Sequence, residues 1–100
     1  MAEKLSSLVD AYLQDLRHGR RLSEHTVTNY AVDLAQFIEF ALAQGLEDPS
    51  AIRPAHVRGF LREMLAYGYA KASAARKLSA VKSWMAYLQE EKAVSDDPAR

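Results

Sequence analysis

One hundred residues, 49% of them hydrophobic, suffice for one domain with a true core and are too few for two. The absence of cysteine excludes a disulfide framework, a thiol nucleophile and a cysteine-based zinc site. The 13 basic residues balance 13 acidic ones, and a net charge of zero argues on its own against a nucleic-acid binder, whose domains usually run basic.

In chain order, the periodicity predicts four helices and no strand. Leu5, Leu8, Val9, Tyr12, Leu13 and Leu16 recur at three-and-four spacing, which sets a first helix over about Lys4 to Arg17 and leaves Gly19 suited to a left-handed cap. Ser23 is a good N-cap for a second helix of about 20 residues that buries Val27, Tyr30, Leu34, Phe37 and Ile38 and ends at Gly45. Glu47-Asp48-Pro49-Ser50 reads as a turn. Pro54 takes the first position of a third helix, where no amide is lost, and Ile52 and Val57 are spaced to staple its start. That helix is short, because Tyr67-Gly68-Tyr69 breaks the stripe of Val57, Phe60, Leu61, Met64 and Leu65. The fourth runs from about Lys71 to Lys92, with Ala74, Leu78, Val81, Met85 and Leu88 inward, Trp84 flanking them and Asp97-Pro98 as the exit.

Short links between the first and second helices, and between the third and fourth, predict an all-α fold of two roughly orthogonal helical hairpins. Its core should contain Val27, Tyr30, Leu34, Phe37, Ile38, Leu61, Leu78, Val81, Met85 and Leu88. No apolar run approaches the ~18 residues a membrane span needs, and Met1-Ala2-Glu3-Lys4 lacks the character of a signal peptide. A soluble cytoplasmic protein with no membrane partner is expected.

Charge distribution qualifies the zero sum. Arg17, His18, Arg20 and Arg21 form one basic segment, and Lys71, Arg76, Lys77 and Lys82 form another with no acid between them. Acids gather elsewhere, at Glu47-Asp48, Glu90-Glu91 and Asp96-Asp97. Local sign, not the total, sets what a surface attracts. Placed at about 100° per residue, the second helix turns His25, Thr28, Asn29, Val32 and Gln36 away from its apolar stripe. The fourth turns Arg76, Ser79, Ala80, Ser83 and Tyr87 outward, with Lys82 at the edge of the core. Short donors on such faces suit phosphate oxygens and base edges, and Ser23 and Thr26 with the free first-turn amides suit a phosphate. A Ser23 that only caps, a Thr26 that only packs and a plain solvated face on the fourth helix account for the same residues.

Nothing in the chain points to catalysis. His18, His25 and His56 are far apart with no Ser or Asp partner at motif spacing, and no His-x-x-x-His or carboxylate pair marks a metal site. Tyr12, Tyr30, Tyr67, Tyr69 and Tyr87 lack the convergent cations a nucleophilic tyrosine needs. No cofactor, metal or small-molecule ligand is expected.

The run Leu22-Ser23-x-x-Thr26-x-x-Asn29-Tyr30-x-x-Asp33-Leu34-x-x-Phe37, then Arg76-x-Leu78-Ser79-Ala80-x-Lys82-Ser83-Trp84-x-x-Tyr87-Leu88 and a closing Asp97-Pro98, resembles the N-terminal core-binding domain of tyrosine recombinases, the Xer type most of all. The likeness spans about Leu8 to Pro98. It implies a SAM-like four-helix unit, one half of a clamp around duplex DNA, with the second and fourth helices toward the major groove and other protomers as partners. It also implies a separate catalytic domain after residue 100, so residues 1–100 alone would be a single DNA-binding domain and no enzyme. The residues carried over are Thr26, Asn29, Arg76, Ser79, Lys82 and Ser83. With Ser23, His25 and Lys77 of the same motifs they make up the expected DNA-contact set. Relatives often carry arginine in place of Lys82 and a second aromatic in place of Met85. Lysine keeps the charge but gives up the bidentate fork, and methionine keeps the volume. The competing expectation is a helical protein-interaction domain that binds no DNA.

Overall fold

The computed structural model describes residues 2–91. Four α-helices follow one another: α1 Ala2–Gln14, α2 Glu24–Ala43, α3 Pro54–Ala66 and α4 Lys71–Glu90, with a π-helical turn at Asp15–Gly19 and a 3-10 turn at Pro49–Ala51. No strand occurs among the described residues, so the chain is all-α as expected. The last expected residue of the fourth helix, Lys92, and the Asp97-Pro98 exit lie outside the described residues.

Side-chain caps fix where the helices begin. Ser23 Oγ accepts the Thr26 amide at 3.2 Å and donates to Thr26 Oγ1 at 3.0 Å. Replacing Ser23 with alanine should cost about 1 kcal/mol, read as a lower urea midpoint by the fluorescence of the single tryptophan. An unmoved midpoint would mean that water serves those amides equally well. Asp48 caps the 3-10 turn through the Ser50 amide at 2.9 Å, and its other oxygen accepts from Lys4 Nζ at 2.6 Å, which ties α1 to this loop. At α3, His56 Nδ1 accepts the Arg53 amide at 2.8 Å. His56, half-buried, thus caps the start of α3, and the stapling pair Ile52 and Val57 is buried.

Gly45 ends α2 at φ 80° and Gly68 turns the chain between α3 and α4 at φ 101°, conformations that glycine adopts without steric cost. Gly19 is not such a cap. The end of α1 widens instead, with the Arg20 amide donating to the Asp15 carbonyl and the Leu22 amide to the Leu16 carbonyl, both at 3.0 Å, and the left-handed residue is Arg21 at φ 55°. The wide turn keeps Leu16 fully buried while it reverses the chain toward Ser23.

In the two hairpins α1 packs on α2 and α3 on α4, and α4 also packs against α1 and α2. Phe37 is the hub: Phe60 of α3 meets it edge-on at 5.2 Å and Trp84 of α4 at 6.2 Å. Val27, Leu34, Ile38, Val81, Met85 and Leu88 are buried, and Tyr30, Leu61 and Leu78 are half-buried against them. Placements on α4 differ from expectation because α4 touches every other helix, so its buried arc is wider than one stripe. Trp84 is fully enclosed and Ala80 is buried, whereas one was expected on the flank and the other outward. Tyr87, also expected outward, is half-buried with its ring 4.9 Å from that of Tyr12. Burial pushes the Tyr12 phenol up to about 12 and raises Tyr87 as well, so both hydroxyls stay protonated at neutral pH.

Candidate nucleic-acid interface

His25, Asn29 and Asp33 follow one another at four-residue intervals along α2 and therefore share one row of the helix. Asn29 Nδ2 and His25 Nε2 lie 3.3 Å apart. Asp33, one turn further on, has no solvent exposure at all. An isolated carboxylate in that position would be strongly disfavoured, and α4 supplies its partners. Arg76 meets it side-on, Nε to Oδ2 at 3.1 Å and Nη2 to Oδ1 at 3.0 Å, while Lys77 Nζ donates to Oδ1 at 2.9 Å. The Lys77 ammonium also lies 4.6 Å from the centroid of the Tyr69 ring, a cation–π distance, and the Tyr69 hydroxyl accepts from Gln36 Nε2 at 2.8 Å.

One carboxylate between two cations leaves the cluster with a net positive charge, and its exposed end is Arg76. Half of the Arg76 side chain is solvent-accessible, against 2% for Lys77. The hydrogen bond to Asp33, and secondarily its charge, raise the guanidinium further above its ordinary range, so it stays cationic.

The rest of the expected contact set falls around this seam. Ser23, His25, Ser79 and Lys82 are exposed, and Thr26, Asn29 and Ser83 are half-buried. The Ser23 hydroxyl is engaged in the cap, while Thr26 Oγ1 accepts from it and keeps its own proton to donate. Lys77 is not on the outer face that its place in the set requires. Its stem is enclosed and its ammonium is committed to Asp33, because a buried carboxylate draws in the nearest cation. Asp33 was not among the expected site residues. Its signal was its position where the row of His25 and Asn29 meets the apolar stripe, three residues after Tyr30 and four before Phe37.

The basic segment before α2 is partly paired. Arg17 Nε meets Glu24 at 2.9 Å and Arg20 Nε meets Asp15 at 3.6 Å, both at exposed positions where such pairs are weak and exchange readily for another anion. Arg21 and Lys82 make no ion pair among the described residues. The opposite charge collects between α2 and α3, where Glu39 and Glu63 line an open cavity of about 450 Å³ with Phe40, Tyr67 and Tyr69. Phosphate is disfavoured on that side. Among the described residues no group of three His, Cys, Asp or Glu could hold a metal ion, and no helix is long and apolar enough to cross a membrane.

Residues 9–92 match the family model described as phage integrase, N-terminal SAM-like domain. The chain belongs to this family, whose SAM-like character agrees with the four-helix fold. Among its relatives, the tyrosine recombinase XerC of Halalkalibacterium halodurans is 34% identical over 90 residues, covering 90% of this chain and 30% of the relative. The tyrosine recombinase XerD of Shewanella oneidensis is 35% identical over 91 residues, and XerC of Xanthomonas campestris is 35% identical over 98. The chain spans about 30% of the length of these relatives. No solved structure matches it significantly.

Proposed function

We propose that this chain is the DNA-binding module of a site-specific tyrosine recombinase, one half of a clamp that sets α2 and α4 against the major groove of a recombination core site. The observation that carries this reading is the seam itself. Asn29 and Arg76 stand together on an outer surface that also offers Ser79, Lys82 and Ser83, and the acid within it, Asp33, is fully enclosed. Amide, guanidinium and hydroxyl groups are the donors that base edges and phosphates accept, and Lys82 with Arg20 and Arg21 supplies unspecific charge around them.

Cleavage and rejoining belong to a catalytic domain beyond residue 100, in an assembly with other protomers, and residues 1–100 alone do no phosphoryl transfer. Chromosome dimer resolution and integration use the same module.

Salt dependence tests the reading. If Arg20, Arg21 and Lys82 each meet a phosphate, log affinity for a duplex should fall with log salt at a slope near −2.7, about a fortyfold loss between 50 and 200 mM. Lys82→Ala should reduce that slope by about 1 and weaken all sequences alike. Affinity that ignores salt, or no binding to duplex at any salt, would transfer the assignment to a protein-docking domain.

A further inference from the structure

Asp33 is an expensive residue to bury, and what it does to Arg76 gives it a role beyond packing. The side-on contact occupies Nε and Nη2, the two donors along one edge of the guanidinium. It fixes the plane of the group. The other edge, formed by Nη1 and the second hydrogen of Nη2, remains as a parallel pair of donors directed away from the carboxylate, on a side chain that is half exposed. The neighbours on that side of α4 are short: Ala72, Ala75 and Ser79, all exposed, leave room for a base edge to approach.

Lys77 completes the device from inside. Were Asp33 paired with Arg76 alone, the two charges would cancel and the guanidinium would offer little net attraction. A second cation, 2.9 Å from the same carboxylate and almost fully enclosed, restores a surplus of one positive charge whose outlet is Arg76. A phosphate needs only charge nearby, which mobile side chains such as Lys82 supply. A fork held in a fixed plane, with its rotamer freedom already removed, is what reading two adjacent acceptors on a base requires.

We propose that Asp33 is a positioning residue that aims the free edge of Arg76 at the N7 and O6 acceptors of a guanine, making Arg76 a specificity determinant rather than a phosphate contact. The inference rests on the DNA-binding reading above.

The test is selection of a randomised duplex library by the 100-residue chain, followed by sequencing of bound and unbound fractions. The wild-type chain should enrich guanine at one position by about tenfold or more. Arg76→Lys, which keeps the charge and loses the fork, and Asp33→Asn should each flatten that position. Combining Asp33→Asn with Arg76→Lys should flatten it no further than either alone, because both remove one interaction. Lys82→Ala should leave the preference intact. If Asp33→Asn fails to fold by circular dichroism, Asp33→Asn with Lys77→Met removes the charge from both sides of the buried pair and carries the same arm.

A readout that needs no substitution is the Arg76 Nε–H in the ¹⁵N spectrum of the free chain, which should be resolved and slow to exchange. Guanine enrichment retained in a folded Asp33 variant would overturn the proposal, as would an Arg76→Lys chain that weakens every sequence equally or a fast-exchanging Nε–H. Failure of the underlying reading looks different: the wild-type chain then shows no salt-dependent binding to any member of the library.

Discussion

Replacing Asp33 with alanine should lower the unfolding free energy by about 3–5 kcal/mol, several times what an exposed ion pair contributes. The carboxylate has no solvent exposure, and Lys77, 2% exposed, donates to it at 2.9 Å. Without it the ammonium is left among apolar groups with only the Tyr69 ring, 4.6 Å away, to stabilise it. Arg76 adds little to the loss, because half of its side chain already faces water and it can turn outward. Adding Lys77→Met to Asp33→Ala should therefore recover most of the stability. Urea unfolding followed by tryptophan fluorescence measures all three variants against wild type. A loss below about 1 kcal/mol for the single variant, or a double variant less stable than the single, would contradict this account of the buried cluster.

A loss of similar size, about 3–5 kcal/mol, is expected for Trp84→Ala. The ring is fully enclosed and stands 6.2 Å from Phe37, which itself contacts Phe60 at 5.2 Å, so its removal opens a cavity where α2, α3 and α4 meet. Small domains have about 5–15 kcal/mol in total, which puts this variant near the edge of folding. Trp84→Phe should lose far less. It keeps the edge-on aromatic contact, and the indole Nε1, buried with no hydrogen-bond partner among the described residues, gives up no hydrogen bond. Thermal unfolding by circular dichroism is the appropriate measure, since either substitution removes the single tryptophan. Equal losses for both variants would mean that the hub depends on the indole rather than on aromatic packing.

Much of the fold was legible because its signals are local. Ser23 three residues before Thr26, Pro54 at a first turn and Gly45 after the last apolar residue of α2 are short-range chemistry, and each sits where the pattern placed it. What escaped the sequence is non-local. Lys77 reads as a surface cation because lysine almost always is one, and the partner that buries it is 44 residues away on another helix. Trp84 and Ala80 were assigned outside the stripe because the wheel of a single helix does not show that α4 has three neighbours. The end of α1 misled for a third reason: Gly19 has the chemistry of a left-handed cap, but continuing through a π turn keeps Leu16 in the core and moves the left-handed conformation to Arg21.

The candidate site divides in the same way. Periodicity turns Asn29, Arg76, Ser79 and Ser83 outward, since facing away from an apolar stripe is a property of one helix, but it put Lys82 at the edge of the core, where the structure exposes it. Their assembly into a seam depends on Asp33, whose importance emerges only when α2 and α4 are packed together. Its place at the border of the apolar stripe, three residues after Tyr30 and four before Phe37, was the available hint.

The central claim, that duplex DNA docks on the seam between α2 and α4, is tested most directly by titrating the ¹⁵N-labelled chain with a duplex containing a recombinase core site and mapping the amide shifts. The largest changes should fall at His25, Thr26 and Asn29 on α2 and at Arg76, Ser79, Lys82 and Ser83 on α4, and they should recede as salt is raised. Changes concentrated instead around Glu39, Glu63 and Tyr67, in the acidic cavity between α2 and α3, would contradict it.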